Sequence, residues 1–161
     1  MNENFRIRFA QENDCAVILG FIRDLADYEN MSDDVVATAE SLRESIFRKR
    51  QAEVIIGEEN GIPVAFALFF HNYSTFLGRA GIFLEDLFVK KLHRGKGYGK
   101  AMLRKLASIA VERDCGRLEW SCLDWNRPSI DFYLKTGAVA MDEWTVYRLA
   151  GESLTDAASV E

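Results

Sequence analysis

Apolar and polar residues change rhythm along the chain, and each change marks an element. Phe5-Arg6-Ile7-Arg8-Phe9 alternates with period two, the pattern of a half-buried strand. Ile18, Leu19, Ile22, Leu25 and Ala26 then recur at three and four, which predicts an amphipathic helix to about Tyr28 with Asp14 as its N-cap. A second helix is expected from Thr38 through Leu42, Ile46 and Phe47, after an acidic, irregular stretch from Glu29 to Val36. Glu53 to Glu58 reads as a strand, Asn60-Gly61 as a tight hairpin turn, and Pro63 to His71 as a central, almost uniformly apolar strand. Gly81 to Val89 is the next strand, interrupted by Glu85 and Asp86, whose adjacency predicts opposite faces.

A basic loop and a glycine cluster follow. Met102, Leu103, Leu106, Ala107, Ala110 and Val111 then form one helical face up to Gly116. Arg117 to Leu123 is expected as a strand. Asn126 should cap another helix with Pro128 in its first turn and Gly137 past its end. Trp144 to Leu149 is expected to close the sheet, with a frayed tail from Gly151. This order predicts one α/β domain over residues 1–161.

The 161 residues suffice to bury a core, and 48% hydrophobic with 28% charged residues excludes a disordered chain. No apolar run approaches the ~20 residues of a membrane span. Met1-Asn2-Glu3-Asn4 lacks the basic, then apolar, character of a signal peptide, so a cytoplasmic location is expected. A net charge of −5 argues against a nucleic-acid-binding surface. Cys15, Cys115 and Cys122 show no paired spacing and lie far from His71 and His93, so no metal site is expected. They read as small buried hydrophobes.

Arg94-Gly95-Lys96-Gly97-Tyr98-Gly99-Lys100 carries the most chemistry. Glycines let the backbone approach a ligand, the following helix offers unpaired N–H groups, and Arg and Lys add charge suited to a pyrophosphate. It is not a P-loop, because Gly99-Lys100 lies one residue too close to Gly95 and Ala101 replaces Ser or Thr. Nor is it a dinucleotide fingerprint, because Lys100 stands where the third glycine belongs. A tight strand-to-helix turn needs only one glycine, and three alternate here.

Arg94-x-x-Gly97-x-Gly99 resembles the acetyl-CoA pyrophosphate motif of the GNAT superfamily of N-acetyltransferases. Other segments resemble more narrowly the spermidine/spermine (diamine) N-acetyltransferases and their thialysine-acetylating relatives. These are Leu25-Ala26-Asp27-Tyr28-Glu29, Leu84-Glu85-Asp86-Leu87-Phe88-Val89, and the run from Leu123 to Tyr133 with Gly137-Ala138 beyond it. The resemblance implies a GNAT fold, α/β (α+β), with a mixed central sheet of six to seven strands flanked by helices. It also implies a homodimer, acetyl-CoA as donor and a small-molecule amine as acceptor, acetylated by direct attack in a ternary complex.

Residue roles follow from the same resemblance. Leu87, Phe88 and Val89 lie along the pantetheine arm, the loop from Arg94 through Gly95, Lys96, Gly97, Tyr98, Gly99 and Lys100 holds the pyrophosphate, and Asn126, Ser129 and Tyr133 add cofactor contacts. Tyr133 is the candidate general acid for the leaving thiolate, since a phenol stays protonated at neutral pH. Glu85 is the candidate base or amine anchor, because a carboxylate in an apolar strand needs a partner or a task. Asp86, Tyr28 and Glu29 match substrate contacts. Each has a plainer alternative: a cross-sheet ion pair for Glu85 and Asp86, a solvated helix end for Tyr28 and Glu29, a packed ring for Tyr133, and a helix cap for Asn126. Trp120, Trp125 and Trp144 read as core residues, at least two of them, or as amine-pocket walls. A non-catalytic acyl-CoA-binding regulatory module is the alternative to an enzyme.

Overall fold

The computed structural model describes residues 4–159 and divides into two compact units, Met1–Ser121 and Cys122–Glu161. In the first, β1 (Phe5–Phe9) is followed by α1 (Cys15–Tyr28) and α2 (Ala39–Leu42), which widens into a π-helical turn over Arg43–Arg48. Then come β2 (Glu53–Glu59), β3 (Ile62–Ser74), β4 (Arg79–Val89), α3 (Tyr98–Glu112) and β5 (Leu118–Trp120). The strands form one sheet in the order β1-β2-β3-β4-β5, antiparallel throughout except for the parallel β4–β5 pair.

β3, apolar from Ile62 to Phe70, is the middle strand, as that composition demands. Val54, Ile56, Phe66 and Phe88 pack on one face with Ile18, Phe21, Leu42 and Ile46. The first of the two hairpins turns on Asn60 and Gly61, both at positive φ (54° and 78°), joining Glu59 to Ile62 with a two-residue loop.

The sheet has five strands among the described residues, not six to seven. One expected segment, at the end of the chain, accounts for part of this. The expected strand from Arg117 to Leu123 forms but is shorter, with Leu118, Glu119 and Trp120 in register with β4. Trp144 to Leu149 is not a strand; Trp144, Val146 and Tyr147 are exposed.

Further expectations change in detail. Asp14 stands at the N-cap position of α1, as expected, but its side chain makes no cap bond to that helix: its carboxylate accepts from Nη1 and Nη2 of Arg8 at 2.7 and 2.9 Å and from the Gln11 N–H at 2.7 Å. The Arg8 guanidinium accordingly holds the Asp14 carboxyl below its usual range, with burial opposing. Residue 114, at φ 54°, supplies the left-handed end of α3. At Gly116 a Cβ would come within 2.7 Å of Leu77 Cδ1, the end of an exposed side chain that can move aside. Cys15 is buried, but Cys115 and Cys122 are only half-buried.

In the second unit, Asn126 caps α4 (Arg127–Lys135), its Oδ1 accepting from the Ser129 N–H at 3.3 Å, and Pro128 sits in the first turn. Gly137 follows the helix at φ 90°. The expected frayed tail contains a helix, α5 (Glu152–Ser159), exposed along its length. No helix of the described residues is long and apolar enough to cross a membrane.

Candidate active site

A bulge in β4 organises the acidic part of the site. Leu68 of β3 pairs with Asp86 and Phe69 with Leu84, so Glu85 is the extra residue between them. The insertion reverses the alternation. Leu84 shares the face of Phe69, whereas Asp86 and Phe88 share the face of Leu68 and Phe66, against α1. The two carboxylates are therefore not assigned to opposite faces by strict alternation, because the alternation breaks at Glu85.

On that face Asp86 lies within electrostatic reach of Glu29, which follows the end of α1. Burial raises its carboxyl from 3.8 to about 6, and the charges of Glu85 and Glu29 add to the rise. Burial also raises the Glu29 carboxyl. Two of the other substrate candidates, Glu85 and Glu29, thus act electrostatically on Asp86, while Glu85 itself is exposed. The fourth, Tyr28, is tied to the loop: the Arg94 guanidinium lies 4.6 Å over its ring centroid and 5.2 Å over that of Phe88.

Beyond the bulge, the edge of β4 away from β3 has no strand paired to it among the described residues. The Lys90 N–H donates to Val64 O at 2.9 Å, so in an antiparallel ladder Phe88 also turns its polar atoms to β3 while Leu87 and Val89 turn theirs away. β5 pairs only with Ile82, Phe83 and Leu84. Consistent with this direction, Val89 O accepts from Arg94 Nε at 2.9 Å. The backbone groups of Leu87 and the N–H of Val89 thus face the edge that a strand-like ligand arm would pair with.

Next stands the glycine loop. Gly95 and Gly97 have φ of 77° and 84°, and a Cβ on either would meet nothing within 4 Å. Gly97 is the N-cap of α3 and brings no side chain to the first-turn N–H groups. Gly99 and Lys100 begin that first turn. An open, side-chain-free helix start beside this edge of β4 fits the pyrophosphate and pantetheine arm of acetyl-CoA.

The loop's cations are not arranged as the sequence suggests. Arg94 folds back on Val89, Tyr28 and Phe88. Lys96 Nζ donates to both carboxylate oxygens of Glu59 in β2, at 3.0 and 3.1 Å. The Tyr98 hydroxyl donates to the same carboxylate, and Nδ1 of His93 lies 2.6 Å from its Oε2. Tyr98 is buried and stacks on Phe5 with ring centroids 3.9 Å apart. The hydroxyl of Tyr98 and the ammonium of Lys96 hold the Glu59 carboxyl down to about 2 against burial. Lys96 and Tyr98 therefore spend their side chains on Glu59 and face the loop with backbone. Sequence reasoning missed Glu59, since an acidic residue beside an Asn-Gly turn reads as solvated, and its partners lie 34 to 39 positions away.

In the second unit, Asn126 is buried and caps α4, and Ser129 is its partner. Tyr133, half-buried on the same helix, has its ring centroid 5.2 Å from that of Phe132. Trp125 and Trp144 are exposed, 53% and 73%, so at least two of the tryptophans are not core residues. Among the described residues no group of three or more His, Cys, Asp or Glu is placed to hold a metal ion.

Comparison with known proteins gives a consistent result. The model of the Acetyltransferase (GNAT) family matches residues 10–138. Thialysine N-epsilon-acetyltransferase of Bos taurus is 38% identical over 164 residues, covering 94% of this chain and 96% of that protein. L-ornithine N5-acetyltransferase of Arabidopsis thaliana is 44% identical over 96 residues, 59% of this chain and 42% of that protein. Among solved structures, an integron cassette protein from the mobile metagenome of V. cholerae superposes with a TM-score of 0.83 at 26% identity, covering 99% of this chain and all (100%) of the other.

Proposed function

Because the chain belongs to the GNAT acetyltransferase family and is an acetyl-CoA-dependent N-acetyltransferase acting on amines, we propose that its acceptor is a small, flexible aliphatic amine with a second cationic group, a polyamine or diamine or a thialysine-like amino acid. One observation carries this reading: the β4 bulge at Glu85 puts Asp86, the residue before Leu87, on the face that packs against α1, where the charges of Glu85 and Glu29 both act on its carboxyl. A cluster of negative charge there attracts a cation and orients its amine toward the thioester. Both relatives compared above carry in their names a basic amino acid as substrate, and the bovine one matches over nearly the whole chain.

Acetyl-CoA supplies the activated acetyl group. In the proposed reaction, carried out in a ternary complex, Glu85 takes the amine proton directly or through a water as nitrogen attacks. N–H groups of the Leu87–Val89 stretch stabilise the developing oxyanion. Tyr133 gives its phenolic proton to the departing sulfur, so one proton leaves the amine and one reaches the thiolate. Glu29, Asp86 and Tyr28 hold the remote part of the amine. Asn126 and Ser129 support the cofactor arm. The family match spans residues 10–138 and so supports reading the whole chain as one acetyltransferase domain. The resemblance of the motifs further supports a homodimer.

The test is thiol release from acetyl-CoA with spermidine, spermine, short diamines, thialysine, ornithine, lysine and a peptide N-terminus. Turnover at least about tenfold better on a dibasic amine than on the peptide supports the proposal. Preference for the peptide N-terminus overturns it.

A further inference from the structure

We propose that Glu59 is a positioning residue of the cofactor loop, a clamp on β2 that holds the glycine turn in its anion-binding shape. Its carboxylate is buried, 8% exposed, and gathers three donors from one short stretch of chain. His93 precedes Gly95, Lys96 stands between the two positive-φ glycines, and Tyr98 follows Gly97. Every segment of the turn is thus tied to one point. A carboxylate only accepts hydrogen bonds, so His93 presents Nδ1–H to it.

The turn needs such a tie. Glycine has the largest conformational freedom to lose on ordering, and Gly95 and Gly97 have no side chains to pack. The anion site is made of backbone N–H groups, whose convergence depends on that order. Glu59 supplies it from a strand lying between β1 and β3. Tyr98 adds the second anchor through its stack on Phe5 of β1.

The arrangement opposes the direct reading of Lys96. Were Lys96 the phosphate ligand, Glu59 would compete for its ammonium, and removing Glu59 would tighten the cofactor. A clamp makes the opposite demand. The sign of one substitution therefore separates the two.

The inference rests on the pyrophosphate lying at the glycine loop. Its test uses cofactor-free protein: coenzyme A affinity by calorimetry and amide hydrogen exchange over residues 93–99, with steady-state kinetics beside them. Glu59→Gln should raise the Kd for coenzyme A about tenfold, as loss of hydrogen bonds to a charged group does. Exchange in the loop should accelerate by at least about tenfold. KM for acetyl-CoA should rise with the Kd while kcat stays within about twofold.

An unchanged or lower Kd overturns the clamp. If Glu59→Gln fails to fold, His93→Ala combined with Lys96→Met cuts two tethers at partly exposed side chains. Loop exchange must then accelerate and the Kd rise at least about fivefold, and native exchange overturns the proposal. Gly97→Val separates the clamp from its premise. If that variant binds coenzyme A normally, the placement of the pyrophosphate fails and the clamp with it. If it loses coenzyme A while Glu59→Gln binds normally, the placement stands and the clamp alone falls.

Discussion

The guanidinium of Arg94 lies 4.6 Å over the ring of Tyr28 while its Nε holds Val89 O at 2.9 Å. One side chain of the cofactor loop therefore spans the end of α1 and the end of β4. Tyr28 is a candidate amine contact and Val89 a candidate cofactor contact, so the contact joins the two halves of the proposed site. Tyr28→Leu keeps apolar bulk and removes the π face. We expect it to cost about 0.5–1 kcal/mol in urea unfolding and to raise KM for both acetyl-CoA and the amine. A change in the amine KM alone would show that Arg94 holds the loop without help from Tyr28.

Asp86 should impose a pH dependence on stability. Its folded carboxyl is raised by burial to about 6 from 3.8, with the charges of Glu85 and Glu29 adding. A raised acid favours the protonated fold. Its stabilisation is complete below 3.8 and is lost as pH rises through about 6. Asp86→Asn, which mimics the neutral form, should therefore raise the urea midpoint at pH 7.5. We expect about 1–2 kcal/mol after allowing for partial solvent screening. Near pH 3.5 the two proteins should coincide. The same substitution should weaken the amine, whose charge then meets one carboxylate fewer. A midpoint difference that does not vary with pH would show that Asp86 titrates normally.

The contrast between these residues and the rest of the chain explains what the sequence makes legible. Asn60-Gly61 and the Asn126 cap are local: a two-residue turn and a bond from Oδ1 to an N–H three residues on are written in consecutive letters. The glycine loop is equally local. The bulge is not, because Glu85 is unpaired only by reference to Leu68 and Phe69 on another strand. Glu59 is further removed, since its role depends on β2 ending beside the start of α3. Trp144 to Leu149 shows the reverse failure, an apolar-rich segment expected to be a strand that is not one in the structure.

Tyr133 carries the proposed acid role by resemblance, and its chemistry can be isolated. Tyr133→Phe removes one oxygen and preserves the ring that stands beside Phe132. The variant should lose kcat by about a hundredfold or more, the usual contribution of a general acid, with coenzyme A affinity within about twofold of native. The loss should shrink for an acyl donor whose leaving thiol is more acidic, since such a thiolate departs without a proton. An unchanged kcat removes Tyr133 from the reaction.

Gly97 allows backbone strain to be separated from ligand access. It has φ 84°, and a Cβ there would meet nothing inside the protein. Gly97→Val therefore carries only the cost of a side chain at positive φ, about 1–2 kcal/mol, while its branched side chain stands where a phosphate must approach. Gly61, at φ 78° and also without a neighbour within 4 Å, provides the control on the β2–β3 hairpin. Gly61→Val should lower the unfolding midpoint by a similar amount and leave coenzyme A binding intact. Gly97→Val should match that loss of stability but weaken coenzyme A by at least about tenfold, read by calorimetry on both purified variants. Equal binding by the two would mean that the pyrophosphate does not approach the backbone at Gly97, and that the open space above the loop serves no ligand.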